Sequence, residues 1–204
     1  MSDPVPAWLS KALGKAPGEH GAALGGIVAA RLGAAEMVGK GGFALSSAAF
    51  SAGGWLDPSF TADEEDSVAP PVEWTAPPPG TQELVLIVED IDWQTGEPFC
   101  HWLVWGLHGQ RGKLLEGEAP PRVGKNAFGN SEWLLPDPPT GDDPHTYVFQ
   151  LFALDLPLTL MPGASREELV AAMTGHVIGL ALITATYTRE EGGDYDWDDG
   201  DEDD

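Results

Sequence analysis

The chain has 204 residues, enough for one well-buried core, and its 26 glycines and 18 prolines favour many turns over long helices. A formal net charge of −23 works against binding nucleic-acid phosphates or an anionic membrane surface, so any anion site must be local. Cys100 is the only cysteine, which rules out an intramolecular disulfide; nothing demands an oxidising compartment, and a cytoplasmic location fits.

Residues 1–40 read as a helical extension, two helices separated by the breaker Ala16-Pro17-Gly18. Val5, Trp8, Leu9, Ala12 and Leu13 would share one face of the first. Leu24, Ile27, Val28, Leu32 and Ala35 recur at helical spacing in the second. That stripe must dock on the protein's own sheet or on a second subunit, so a homodimer is one of two readings. Residues 24–35 are apolar enough to suggest a secretory leader. Asp3, Glu19 and His20 precede them, however, and Arg31 interrupts them, so the segment reads as a helix. It is also shorter than the roughly 20 apolar residues that span a bilayer.

Residues 41–189 change texture to short β-rich runs separated by proline and glycine clusters. Leu84-Val85-Leu86-Ile87-Val88 is apolar throughout and reads as a central strand covered on both faces. Residues 101–107, 147–154 and 176–188 read as further strands. Ser165-Arg166-Glu167-Glu168 matches a capping box, so a short helix runs from there to about Met173 and ends at Gly175. Residues 190–204 carry ten acids and no cation, a tail that repels itself and reads as disordered; the remainder keeps a charge of −13.

Chemistry-bearing side chains gather at the ends of the predicted strands. Glu89, Asp90 and Asp92 follow the central run, Cys100 and His101 open the next strand, residues 136–141 form a stiff proline loop, and His145 and Tyr147 open another strand. An antiparallel pairing of the first two runs brings Asp90 near His101. Two imidazoles and a carboxylate could also ligate zinc, although the spacing matches no zinc motif. A serine hydrolase would need a Gly-x-Ser-x-Gly elbow, which is absent, and Cys100 and His101 are adjacent strand residues that point to opposite faces. His20, His108 and His176 read as ordinary surface or turn histidines, and Trp93 and Trp102 as rim or core aromatics.

In order and spacing, the sequence resembles the phosphatidylethanolamine-binding proteins, including the bacterial branch described as Raf kinase inhibitor-like. The matching stretches are Ala44-Leu45-Ser46-Ser47-Ala48-Ala49-Phe50 with Gly53-Gly54, Ala69-Pro70-Pro71-Val72-Glu73-Trp74 with Pro79-Gly80-Thr81, and Asp90-Ile91-Asp92. His101-Trp102, residues 136–141, His145-Thr146-Tyr147 and Met173-Thr174-Gly175-His176-Val177 follow. The resemblance implies a mostly β, α+β fold, with a large antiparallel sheet packed on a smaller sheet and flanked by helices. It also implies a binding module, not an enzyme and without a cofactor, for a small anionic or zwitterionic ligand such as a phosphoryl head group. Asp90, His101 and His145 would form the pocket floor, Tyr147 and the Pro138-Pro139 loop its wall, and Asp92 would be a further ligand-binding residue. A protein partner such as an inhibited kinase or protease would be a further use, and an enzyme working by hydrolysis or proton transfer in the same pocket is the alternative.

Chemically, a carboxylate beside two imidazoles would favour their protonated forms and make both of them donors to an anion. The chain departs from the family pattern where Ile91 and Gln94 replace its prolines, Leu135 replaces a glycine and Thr146 an arginine, while Asp137 adds a carboxylate. These changes imply a weakened site for a phosphate dianion and favour a smaller, neutral or zwitterionic ligand.

Overall fold

A computed structural model describes residues 5–14 and 21–189. The Ala16-Pro17-Gly18 breaker, His20 and the acidic tail lie outside the described residues. The long apolar runs form four strands of one sheet: β4 (Glu83–Asp90), β5 (Phe99–His108), β8 (His145–Leu154) and β9 (Val177–Tyr187). The short β2 (Gly54–Trp55) and β7 (Arg122–Val123) complete it in the order β2-β9-β8-β4-β5-β7. All its pairings are antiparallel except that of β2 with β9. A smaller antiparallel sheet holds β1 (Leu45–Ser46), β3 (Val72–Trp74) and β6 (Gly112–Leu114) in the order β1-β3-β6.

Strand alternation divides the core between the two faces of the large sheet. Leu84, Leu86, Val88, Phe149 and Leu151 pack towards the small sheet with Phe43, Leu45, Val72, Trp74 and Leu114. Val85, Ile87, Val148 and Phe152 pack on the other face under a helical layer. That layer consists of α1 (Ala7–Leu13), α2 (Gly21–Gly26), α3 (Val28–Leu32) and α4 (Arg166–Met173). The predicted capping box opens α4: Ser165 Oγ accepts the Glu168 N–H while Glu168 accepts the Ser165 N–H. Gly175, at φ +82°, adopts the left-handed backbone that stops the helix before β9.

The apolar stripe of the N-terminal segment docks on the chain's own sheet, so the stripe itself calls for no second subunit. In α1, Leu9 is buried and Trp8 and Leu13 pack beside it, whereas Ala12 is exposed and Ser10 takes the buried position instead. The second predicted helix breaks at Ile27, whose backbone is extended (φ −64°, ψ 157°). The break has an electrostatic cause on the sheet beneath. Glu89 and Gln150 are fully buried on the helical side and need donors. The Val28 N–H donates to Glu89 (2.9 Å) and the Ala29 N–H to Gln150 (2.7 Å), so the unpaired amides that open α3 meet buried acceptors. Gln150 also donates to Glu89 (2.6 Å), and Arg166 reaches Glu89 (2.7 Å) and the Gly26 carbonyl (2.8 Å).

Removing Arg166 leaves Glu89 as a buried charge with amide partners only. Arg166→Ala should lower the unfolding free energy by about 3 kcal/mol, read as a fall in the urea midpoint. A loss below about 1 kcal/mol would mean that Gln150 and the α3 amides suffice for Glu89.

Candidate functional site

On the opposite face of β4, one residue further along, Asp90 points away from Glu89. It is 1 % exposed, and its Oδ2 accepts a hydrogen bond from His145 Nδ1 at 2.7 Å. His145 opens β8 because β4 and β8 run antiparallel with Asp90 opposite Tyr147. Asp92 ties the two strands at the same end: its Oδ2 accepts the Thr146 N–H (2.6 Å), and its own N–H donates to Asp90 Oδ1 (2.7 Å). Its carboxylate therefore braces the strand ends beside the Asp90–His145 pair.

His101 shares that face by alternation from Phe99, the partner of Asp90, and a register shift follows it. Val88 is opposite Trp102 and Glu89 opposite Cys100, so one residue of β5 is extra. In this β-bulge both His101 and Trp102 turn towards the small-sheet side, while Cys100 and Leu103 face the helices. The His101 ring stands edge-on to Tyr147 (5.1 Å between centroids) and Phe99 (5.5 Å), with Trp133 at 6.0 Å. Its Nδ1 lies 2.7 Å from the Leu134 carbonyl oxygen, and the Leu134 N–H returns a bond to the His101 carbonyl. His101 Nε2 is buried and has no hydrogen-bond partner within the protein.

Tyr147 is buried against His101, and burial pushes its hydroxyl pKa upward, reinforced by Asp90 and Asp92. Pro138 is buried in the loop whose ends touch both imidazoles: Leu134 holds His101, and Asp142 Oδ2 stands 3.7 Å from His145 Nε2. Sequence reasoning missed Leu134 and Asp142, since a carbonyl contact and an exposed acid leave no pattern. Of the aromatic rim it named Trp93 but missed Phe99 and Phe128. Trp93 stacks on Phe99 at 4.1 Å and stands edge-on to His145, and Phe99 meets the exposed Phe128 at 5.5 Å. His176 is paired with Asp155 at 3.0 Å, well apart in sequence from these groups. Among the described residues no group of three His, Cys, Asp or Glu side chains is arranged to hold a metal ion.

The two imidazoles differ electrostatically, which revises the expectation of a cationic pair. Burial is the largest influence on both. In His145 it is outweighed by the Asp90 hydrogen bond and the charges of Asp90 and Asp92, with Asp142 adding to them, so the pKa is raised. In His101 burial prevails over the Leu134 carbonyl and the Asp90 charge, and the pKa is lowered. Asp90 thus orients one histidine, and a backbone carbonyl orients the other.

A family model described as phosphatidylethanolamine-binding protein matches residues 46–188. The chain belongs to the phosphatidylethanolamine-binding protein family. It is 36 % identical over 151 residues to a UPF0098 protein of Aquifex aeolicus, covering 71 % of this chain and 87 % of that one. A UPF0098 protein of Methanothermobacter thermautotrophicus is 33 % identical over 155 residues, covering 71 % and 98 %. Among solved structures, the phosphatidylethanolamine-binding protein homologue CT736 of Chlamydia trachomatis superposes with a TM-score of 0.67 at 33 % identity, covering 72 % of this chain and 97 % of that one. E. coli YbcL, described as a member of the mammalian family, gives 0.64 at 26 % identity, covering 72 % and 98 %.

The departures from the family pattern have local compensations. Ile91 is buried, and its N–H donates to the Thr146 carbonyl (3.1 Å), a bond that proline cannot make. Arg189 pairs with Asp137 (2.6 Å) and with Asp63, and Asp63 also accepts from the Tyr187 hydroxyl. Asp137 therefore adds a carboxylate together with its counter-charge.

Opposite shifts give opposite linkage. The raised pKa of His145 contributes stability that is complete below its unfolded value near 6.5 and is lost as pH rises through the folded value. The lowered pKa of His101 contributes stability present above about 6.5 and lost as pH falls. Urea unfolding across pH should show a decline from His145 on the alkaline side, and Asp90→Asn should remove that decline; an unchanged profile would refute the assignment.

Proposed function

We propose that the Asp90–His145 pair, with His101 beside it, binds the oxyanion of a small anionic or zwitterionic ligand, a phosphoryl head group above all. The observation that carries this reading is the buried 2.7 Å contact between Asp90 and His145, which raises the imidazole pKa and keeps a charged donor at the floor of the site. No lysine or arginine is needed, and the wider negative surface then matters less than the local donor. Tyr147, Pro138, Trp93 and Phe99 supply an apolar and aromatic surround, the usual lining of a small-ligand pocket. The family description names phosphatidylethanolamine, which supports a phosphoryl ligand in this pocket without fixing its ester class.

Within this proposal the protein works by binding. Inhibition of a kinase or protease partner, as the Raf kinase inhibitor-like resemblance implies, would be a further use of the rim. Among the described residues no helix is long and apolar enough to cross a membrane, and a cytoplasmic site of action belongs to the proposal. The enzyme alternative loses its thiol candidate: Cys100 sits in the helical-side core, and burial with the Glu89 charge pushes its pKa upward, away from a reactive thiolate.

Calorimetric titration with O-phosphoethanolamine near pH 6 should show saturable binding that weakens by at least about tenfold in His145→Ala. Equal affinity in the variant ends the proposal, and turnover of a phosphate ester lost in that same variant would favour the enzyme reading.

A further inference from the structure

Resting on that reading of the pocket, we propose that His101 is a hydrogen-bond acceptor that selects ligands whose oxyanion also carries a hydrogen. The favoured class is the singly protonated phosphomonoester or phosphonate, and phosphodiesters are disfavoured. A carbonyl oxygen can only accept, so the 2.7 Å contact with Leu134 places a proton on His101 Nδ1. A neutral ring with its proton there presents a lone pair at Nε2. That atom is shielded from solvent and meets no donor within the protein. A buried acceptor left unmatched is costly, and a ligand hydroxyl would satisfy it.

The neighbours of His101 fit this assignment. Tyr147, Phe99 and Trp133 present rings to it; Tyr147 is buried, while Phe99 and Trp133 are half-buried and reach the surface. The charged and titratable groups that act on it are Asp90 on β4 and His145 on β8. His145 supplies the complementary polarity: Nδ1 is engaged by Asp90, and Nε2 faces the exposed Asp142 carboxylate as an ion pair at 3.7 Å, a contact that a ligand oxyanion would replace. One imidazole therefore donates and the other accepts. A phosphomonoester monoanion matches both with one P–O⁻ and one P–OH. A diester has no P–OH, and a monoester loses its own above its second ionisation near pH 6.

The test compares O-phosphoethanolamine, a monoester, with glycerophosphoethanolamine, a diester bearing the same amine, by calorimetry on the full chain at about pH 6. The monoester should bind about tenfold more tightly, and His101→Phe should bring the two affinities together. Imidazole nitrogen NMR of the unsubstituted chain should show Nδ1 protonated and Nε2 bare, with the Nε2 resonance moving on addition of the monoester. Equal or tighter diester binding, or a protonated Nε2 in the unliganded protein, overturns the inference while the pocket stands. Failure of both ligands to bind removes the pocket itself, and this inference with it.

Discussion

Two adjacent carboxylates at the end of one central strand govern this structure. Glu89 and Asp90 are 0 % and 1 % exposed, and strand alternation sends them to opposite faces of the sheet. An unpaired charge in either place would cost several kcal/mol. Each is therefore matched from elsewhere in the chain: Glu89 by Arg166, Gln150 and the Val28 amide, Asp90 by His145 and the Asp92 amide. The first set anchors the helical layer. The second builds the site.

The geometry of the candidate site rests on features other than the positions that depart from the family pattern. The geometry of His145 depends on Asp90 and on the β4–β8 register, both set by main-chain ladders. His101 depends on the pairing of Phe99 with Asp90 and on a reciprocal pairing with Leu134. Prolines at the rim would add stiffness, but the Ile91 amide bond and the Trp93–Phe99 stack tie the same segment down by other means.

Much of this was legible in the amino-acid order. The continuous apolar run at residues 84–88, the capping box at Ser165 and the histidines at strand starts each reflect local rules of patterning and capping, and each sits where those rules put it. The convergence of Asp90 with His101 followed from pairing two runs in sequence. The rest depended on partners distant in the chain. Nothing near Ile27 announces a break, because its cause is Glu89 and Gln150. Nothing near His101 announces a bulge, and alternation alone would place His101 and Trp102 on opposite faces. The two histidines looked equivalent in sequence; a carboxylate against one and a carbonyl against the other made them different.

The helical layer has an implication for the order in which the chain can assemble. The α3 amides find their acceptors 61 and 121 residues later, and the Gly26 carbonyl finds Arg166 140 residues later. These residues leave the ribosome before their partners and must wait until nearly the whole sheet has been synthesised, against the usual N-to-C progression. Through that interval the apolar stripe at Leu24, Ile27 and Val28 has no sheet to cover it, a period in which a nascent chain would depend on chaperones.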